Sequence, residues 1–272
     1  MKIALCLHGY FANAGGYEAG VEGYKYIRRK LLEKHDVDVF IHSWDLENKD
    51  TILSLYNPAA SLFEEQNQFK YELSQVDEEH FFGPSKEAPG MYSINNIFKA
   101  MSFLYSRKYA VRLKSEYEQS NGFEYDCVVL ARFDLGQRGK EHYQKYYATN
   151  FNFSELLDMN YVYSAFWNQL NHGYADHWFF SNSKNMNIVS KLYDKVIEYY
   201  QKDSEYVKRV TTSWPDSNES DEFSNEFFKN SKSLEKKFPL WGCIDNHKLY
   251  KWYFIDSGLY NISKFIDITE DR

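Results

Sequence analysis

The chain has 272 residues, 43% of them hydrophobic, and is long enough to bury one substantial core. Its 32 Lys and Arg residues against 39 Asp and Glu give a net charge of -7, which offers no general attraction to nucleic-acid phosphates. No window approaches the roughly 18 consecutive apolar residues of a membrane span, and the apolar start IALCL is too short for a signal peptide. We therefore expect one domain over residues 1–272 in a cytoplasmic protein with no nucleic-acid partner and no transmembrane segment.

The first part of the chain has the pattern of a βαβ unit. Residues 2–8 form an apolar run that ends in Gly9, and small residues follow up to Gly16, as in a strand and its loop. Apolar residues then recur at helical spacing over 17–34, which predicts an amphipathic helix. The β-branched and aromatic run VDVFIH, residues 37–42, predicts a second, parallel and buried strand.

The middle of the chain predicts one long helix and one strand that ends in polar residues. Residues 45–90 are polar and carry three prolines, so we expect short helices and loops, with FEEQNQF (63–69) as one helical piece. Helical spacing over 93–119 predicts a long helix, and Asn121-Gly122 supplies its stop signal. The next strand, 127–131, delivers Arg132 and Asp134 to the edge where open α/β sheets bind ligands.

The remaining elements complete an α/β fold with a mostly parallel central sheet flanked by helices. The patterns predict strands over 161–166 and 178–180, a helix over 184–201, a loop over 202–220 and a short helix over 221–230. We expect the aromatic segment over 241–256 to pack back on the body of the domain.

Several familiar sites are excluded by missing motifs. The opening LHGY is reminiscent of α/β-hydrolases, but no G-x-S-x-G elbow provides a nucleophile. The chain also lacks a dinucleotide fingerprint and a P-loop. Its three cysteines, Cys6, Cys127 and Cys243, suggest neither disulfides nor a zinc site and are expected in the core. A small-residue loop before a helix N-terminus remains, and its backbone N–H groups can accept a phosphate.

Two polar clusters follow predicted strands, and each has two interpretations. Ser43, Trp44 and Asp45 can contact a ribose, a base face and a hydroxyl group, or they can form a turn or helix cap. Asp134 can bind a divalent cation or a ribose while Arg132 offsets phosphate charge, or the two can form an ion pair that fixes the strand end. The sequence leaves both alternatives open.

Three segments in order resemble a group of bacterial polysaccharide glycosyltransferases related to the WavE-type lipopolysaccharide synthesis proteins. They are VDVFIHSWD (37–45), MYSINNIFKA (91–100) and YDCVVLARFDL (125–135). Looser similarity covers ADHWFFSNSKNM (175–186) and SNESDEF (217–223). The chain departs from the group in its first loop, because the arginine expected shortly after Gly9 is missing.

The resemblance implies a GT-A-like fold, a single Rossmann-like domain. Residues 1–135 would form the nucleotide-sugar-binding half and residues 136–272 the acceptor-side half. It implies a nucleotide-sugar donor, a glycan or glycolipid acceptor of the lipopolysaccharide or capsule type, and a place in the cytoplasm, at most peripheral at the inner membrane face. The donor site would comprise Gly9, Tyr10, Ser43, Trp44, Asp45, Ser93, Arg132 and Asp134, with Asp134 holding Mn²⁺ or Mg²⁺.

The expected chemistry is sugar transfer with a carboxylate base. If the reaction inverts the anomeric carbon, a carboxylate must take the acceptor proton, and Asp176 is our candidate, with Glu222 and its neighbours Glu219 and Asp221 as alternatives. We also expect Asp45 and Asp134 to face one crevice. The alternative function is a non-catalytic carbohydrate-binding protein on the same fold, which the missing loop arginine favours.

Overall fold

The computed structural model describes residues 1–12, 16–76, 94–136, 150–166, 173–211 and 246–266. These residues form an α/β fold on one seven-stranded sheet with helices on both faces. In chain order the strands are β1 (Lys2–Gly9), β2 (Asp36–Ser43), β3 (Ala60–Phe63), β4 (Cys127–Arg132), β5 (Val162–Ala165), β6 (Trp178–Ser181) and β7 (Ser263–Ile266). The predicted fold class, α/β with a mostly parallel sheet flanked by helices, is confirmed.

The described helices surround this sheet, and none of them has the length and apolar character needed to cross a membrane. They are α1 (Gly16–Ile27) with a π-helical turn (Arg28–Leu32), α2 (Lys49–Tyr56), α3 (Lys70–Leu73), α4 (Ile94–Asn121), α5 (Ser183–Ser190), α6 (Leu192–Tyr199), α7 (Glu205–Thr211), α8 (Asn246–Asp256) and a 3-10 turn (Leu259–Ile262). The long helix α4 ends as predicted, because Gly122 has a φ of 69° that most other residues avoid.

The strand order is β3-β2-β1-β4-β6-β5-β7. Strands β3, β2, β1 and β4 are mutually parallel, whereas β6 runs antiparallel to both of its neighbours. The half with order 3-2-1-4 has the arrangement found in Rossmann-type sheets. The reversed strand β6 makes the sheet mixed and has consequences for the candidate site.

The two faces of the sheet bury alternate residues of each strand, as the period of two requires. On one face, Ala4 and Cys6 of β1 and Leu130 of β4 pack beneath α4. On the other face, Leu5 of β1 and Val129 of β4 pack with residues of α1 and α2. Each face therefore has its own core, and α8, the described part of the aromatic segment, joins the α4 side as expected. Residues 241–245 of that segment lie outside the described ranges.

The predicted helix over FEEQNQF is wrong. Phe63 instead ends β3, whose register with Ser43 extends the sheet beyond β2. Phe69 adopts a left-handed backbone with a φ of 49° immediately before the short helix α3. Pairing with β2 therefore overrides the local helical pattern.

Two predictions in the second half of the chain also need correction. The helix expected over 184–201 is split at Lys191, whose N–H bonds to the carbonyl of Ile188, three residues back. The loop expected over 202–220 contains helix α7, for which Ser204 is the cap: its Oγ accepts the N–H of Val207 at 3.1 Å.

Candidate functional site

The carboxyl ends of the parallel strands and the start of β6 meet at one edge of the sheet, named here the carboxyl edge. The register sets His8 of β1 beside Arg132 of β4. Because β6 is antiparallel to β4, with Trp178 opposite Ala131, the residues just before β6 also lie at this edge. The fold thereby brings Asp176 to the end of β4, although the two are far apart in sequence.

Arg132 and Asp134 form a two-point ion pair at the end of β4. Nε of Arg132 donates to Oδ1 of Asp134 at 2.8 Å, and Nη2 of Arg132 donates to Oδ2. Burial opposes the charge of Arg132, but the Asp134 carboxylate raises the pKa of Arg132 above its ordinary value. This geometry matches the alternative in which the pair fixes the strand end, and a contact of Asp134 with a donor stays a prediction.

The backbone around Asp134 is held by a close approach of α1. A Cβ added at Gly23 would lie 1.8 Å from the carbonyl oxygen of Phe133, so only glycine allows this packing. Phe133 itself is buried against Phe11 and Tyr56. The position of Asp134 is therefore determined by helix packing as well as by its ion pair.

The arrangement at Asp134 does not fit a divalent cation. Both carboxylate oxygens are bound by the Arg132 guanidinium, which already neutralises the charge that a metal ion would need. Within the described ranges, no group of three or more His, Cys, Asp or Glu side chains is placed to hold a metal ion. Metal binding at Asp134 remains a prediction that would require Arg132 to release the carboxylate, and no step below depends on it.

Asp176 is a buried carboxylate between two histidines. Its Oδ1 lies 3.9 Å from Nδ1 of His177 and 3.9 Å from Nδ1 of His247. Burial raises the pKa of Asp176, but the charges around it, those of His247 first and of Arg132 among them, outweigh burial and lower the pKa below its ordinary value. Burial lowers the pKa of His177 to about 4, so this ring is neutral at pH 7 and the arginines contribute to keeping Asp176 ionised.

His247 was not predicted as a site residue, and its ring is oriented by the backbone. Its Nδ1 lies 2.7 Å from the carbonyl oxygen of Tyr174, which can only accept, so Nδ1 carries the proton. The segment before α8 is aromatic and lacks any motif, so no pattern in the sequence places His247 beside Asp176.

An open cavity of about 360 Å³ lies at the carboxyl edge. It is lined by Lys99, Ala100, Phe103, Arg132, Asp176, Asn246 and His247. Its volume is within the range of small-ligand sites. Neither Asp45 nor Asp134 lines it, so this cavity, which lies between Arg132 and Asp176, does not meet the expectation that Asp45 and Asp134 face one crevice.

Ser43 and Asp45 hold the loop that follows β1. Oγ of Ser43 donates to the carbonyl of Gly9 at 2.7 Å. Oδ2 of Asp45 accepts the N–H of Ala12 at 2.9 Å, and Oδ1 accepts the backbone and side-chain N–H groups of Asn48 at 3.2 and 2.9 Å. These bonds match the alternative in which Ser43 and Asp45 form a turn. Their predicted contacts with a nucleotide-sugar donor stay a prediction.

The two aromatic residues of the predicted donor set differ in exposure. Trp44 is 4% exposed and stacks on Tyr105 with ring centres 5.2 Å apart, so a base would reach it only after neighbouring side chains moved. Tyr10 is 44% exposed and follows Gly9, whose φ of 92° turns the chain at the end of β1. Of these two rings, Tyr10 is therefore the one that is open to a ligand.

Ser106, His42 and Glu64 form a chain of contacts that resembles a hydrolytic triad. Oγ of Ser106 lies 2.7 Å from Nδ1 of His42, and Nε2 of His42 lies 3.0 Å from Oε1 of Glu64. Ser106 is fully buried, however, and its oxygen already accepts the N–H of Gly9 at 2.8 Å. The chain of contacts joins α4 to the ends of β1 and β2, and burial keeps this serine away from a substrate.

Arg107 and His8 are buried beside the cavity with unused hydrogen-bonding capacity. Nη1 of Arg107 donates to the hydroxyl of Tyr250 at 2.6 Å, but Nε and Nη2 have no partner among the residues described. The two ring nitrogens of His8 also have no hydrogen-bond partner among the residues described. An unsatisfied buried polar group costs about 1–3 kcal/mol, so these groups are unexplained by packing alone.

Two residues of the predicted set fall outside the described ranges. They are Ser93, expected in the donor site, and Glu222, the alternative base, together with its neighbours Glu219 and Asp221. Both remain predictions.

Comparisons with known proteins add no family to this geometry. The sequence matches no protein-family model, and neither curated proteins nor solved structures give a significant match. The functional argument therefore depends on the carboxyl edge and on the resemblance of the three segments.

Proposed function

We propose that the chain is a nucleotide-sugar-dependent glycosyltransferase of the GT-A type that acts in the synthesis of a polysaccharide or glycolipid. The observation that carries the proposal is the convergence of Arg132, Asp134 and Asp176 beside a cavity at the carboxyl edge. Open α/β sheets bind ligands beyond the carboxyl ends of their strands. The strand order with a reversed β6 is compatible with the GT-A fold implied by the three segments.

The donor end of the reaction needs positive charge. Transfer breaks the bond between the anomeric carbon and a phosphate oxygen of the donor, and that oxygen leaves with the bonding electrons. Negative charge therefore grows on the departing nucleotide, and a preorganised cation lowers the energy of this transition state. Lys99 and Arg132, which both line the cavity, are placed to supply it.

The acceptor end of the reaction needs a proton acceptor. As the acceptor hydroxyl forms its bond to the anomeric carbon, its proton passes to the carboxylate of Asp176 in an inverting reaction. The lowered pKa of Asp176 keeps this carboxylate ionised at neutral pH, although it also makes the carboxylate a weaker base than one whose pKa is raised. Nδ1 of His247 and Nδ1 of His177 each lie 3.9 Å from this carboxylate, which forms part of the cavity wall.

Calorimetric titration with UDP, GDP and CMP and with their sugars, with and without Mn²⁺, tests the proposal. We expect at least one nucleotide-sugar to bind, and Asp176→Asn to abolish transfer while donor binding is retained, because Asp176 acts on the acceptor. Failure of every nucleotide and nucleotide-sugar to bind would contradict the proposal.

The closed ion pair between Arg132 and Asp134 favours a second candidate, a non-catalytic carbohydrate-binding protein on this fold. In that case the pair serves the strand end alone, and Asp134→Ala leaves glycan binding unchanged. Transfer of sugar from any nucleotide-sugar by the unmodified protein would eliminate this candidate.

A further inference from the structure

The carboxyl edge buries basic side chains whose nitrogen atoms are only partly hydrogen-bonded by the described residues. Arg107 is 1% exposed, and among the described residues it donates one hydrogen bond, to the neutral hydroxyl of Tyr250 at 2.6 Å. Its guanidinium carbon also lies 4.8, 5.1 and 5.0 Å from the ring centres of Phe103, Phe179 and Tyr250. Its guanidinium is always charged. Asp176 is close enough to interact with the charge of Arg107, but Nε and Nη2 of Arg107 donate to no group among the described residues. A buried cation with unfilled donors is unfavourable in a protein interior, so an anion that accepted from them would stabilise the fold.

His8 and Arg132 lie on the same side of the sheet as Arg107. The alternate residues that precede them on β1 and β4 belong to the core beneath α4: Ala4, Cys6, Val128 and Leu130. Phe103 of α4 connects the group to the cavity. It lines the cavity, its ring centre is 5.1 Å from that of His8, and the guanidinium carbon of Arg107 is 4.8 Å from it.

Cationic groups outnumber carboxylates around this cavity. The cations are Lys99 and Arg132, which line the cavity, and Arg107, which lies behind its wall. The carboxylates are Asp176, which also lines the cavity, and Asp134, which Arg132 already binds. Lys99 is exposed and forms no ion pair with the rest of the described chain. The cavity therefore has an excess of positive charge beside unfilled hydrogen-bond donors, which favours an oxyanion.

We infer that the cavity between α4 and the ends of β4 and β6 is an oxyanion site that binds a phosphate or diphosphate group through Lys99 and Arg132, with Arg107 behind them, and without a divalent cation. The inference deepens the proposed function, since the bound group is then the phosphate of the nucleotide-sugar donor. It also accounts for the poor fit of Asp134 to a metal ion, because side-chain cations take the place of the metal charge.

Titration of the full chain with inorganic pyrophosphate in EDTA tests the oxyanion site directly. We expect binding that weakens with added salt and that Lys99→Met weakens by about tenfold, the effect of removing one charge-assisted contact. Lys184→Met is the matched control, because Lys184 is an exposed lysine that lines a separate cavity near the amino end of β1. This control should bind like the unmodified protein.

Arg107→Met is the second variant, and it should also weaken pyrophosphate binding. If the buried substitution prevents folding, Lys99→Met alone decides, because it changes an exposed side chain. Equal binding by Lys99→Met and the unmodified protein, or binding that appears only when Mn²⁺ is supplied, would overturn the inference.

The outcomes separate this inference from the proposed function. If pyrophosphate binds without metal and depends on Lys99, but no nucleotide or nucleotide-sugar binds, the oxyanion site is supported and the glycosyltransferase is contradicted. If a nucleotide-sugar binds only with Mn²⁺ and Lys99→Met does not weaken this binding, the glycosyltransferase is supported and the oxyanion site is contradicted.

Discussion

Arg107 and Lys114 are two buried cations on the same face of α4, two turns apart, and they differ in their partners. Lys114 donates to Glu118, Ser183 and Asn187 at 2.8, 2.6 and 2.8 Å. Arg107 donates to one neutral hydroxyl and leaves two nitrogens unused among the described residues. The same helix therefore carries a satisfied cation towards the amino ends of the strands and an unsatisfied one towards the carboxyl edge.

This difference distinguishes the two ends of the sheet. At the end near Lys114, Glu118 also accepts the N–H of Tyr125, so every element of the network contributes to folding. At the carboxyl edge the fold keeps donors without partners, at a cost in stability, which is typical of a site that awaits a ligand. Five predictions test the comparison, and the first has the largest expected effect.

Lys114→Met should lower the free energy of unfolding by about 3–5 kcal/mol, because it leaves the buried Glu118 carboxylate without its cation. Urea denaturation followed by circular dichroism measures the change. The double variant Lys114→Met with Glu118→Gln should recover part of the loss, since it also removes the uncompensated charge.

Arg107→Met is the matched change at the carboxyl edge. Among the described residues, the hydrogen bond of Arg107 goes to a neutral hydroxyl. Replacing this buried cation with an apolar side chain should change the free energy of unfolding by less than about 1 kcal/mol, because the desolvation cost of the charge disappears with it. A loss as large as that of Lys114→Met would show that Arg107 is as fully paired as Lys114, and the contrast between the two ends would fail.

Acid should destabilise the protein through His177. The folded state holds the pKa of this ring at about 4, against 6.5 for an ordinary histidine, because burial disfavours the charged form. Between these values the unfolded chain takes up a proton that the folded chain does not, so stability is lost as the pH falls from 6.5 towards 4. The loss from this group is about 3 kcal/mol.

Denaturation at a series of pH values measures this loss, and His177→Asn should flatten the curve in that range. His35→Gln, a change in a ring that pairs with Glu155 elsewhere on the surface, is the control. If His177→Asn has the same pH dependence of stability as the unmodified protein, His177 is not the group whose protonation destabilises the fold.

Much of the fold followed from periodicity, and the failures have identifiable causes. Strands β1, β2 and β4 and helix α4 are long enough for their apolar patterns to be decisive. Strands β3 and β7 have only four residues each, and the pairing that stabilises them lies in distant parts of the chain. Such non-local pairing overrides local propensity, as it did at FEEQNQF.

The site was predicted in part, because strand ends are visible in sequence but strand direction is not. Arg132, Asp134 and Asp176 were identified as candidates, yet their proximity depends on the reversal of β6, which no pattern revealed. Arg107 and Lys114 had a signal that could have been read: they interrupt the apolar stripe that Leu104 and Val111 mark on α4. Charges at core positions of a helix indicate either a buried network or a ligand site.

Ser106→Ala tests a polar group at the carboxyl edge that is fully satisfied. The change leaves the Gly9 N–H and Nδ1 of His42 without their hydrogen-bond partner, so the free energy of unfolding should fall by about 2 kcal/mol. The buried hydroxyl should also fail to react with a fluorophosphonate probe. Labelling of Ser106 would revive the hydrolase alternative and would show that the carboxyl edge opens further than its packing indicates.

Asp134→Asn separates positioning from folding at this edge. The amide keeps the size of the side chain but loses the charge that holds the Arg132 guanidinium at two points, so turnover should fall by at least about tenfold, or about 1.4 kcal/mol in the barrier. Stability should change little, because the pair is partly open to solvent. The ratio kcat/KM for sugar transfer, measured beside the free energy of unfolding, distinguishes the two roles. A normal rate with a large loss of stability would assign Asp134 to the strand end alone, and the carboxyl edge would then resemble the network around Lys114 rather than differ from it.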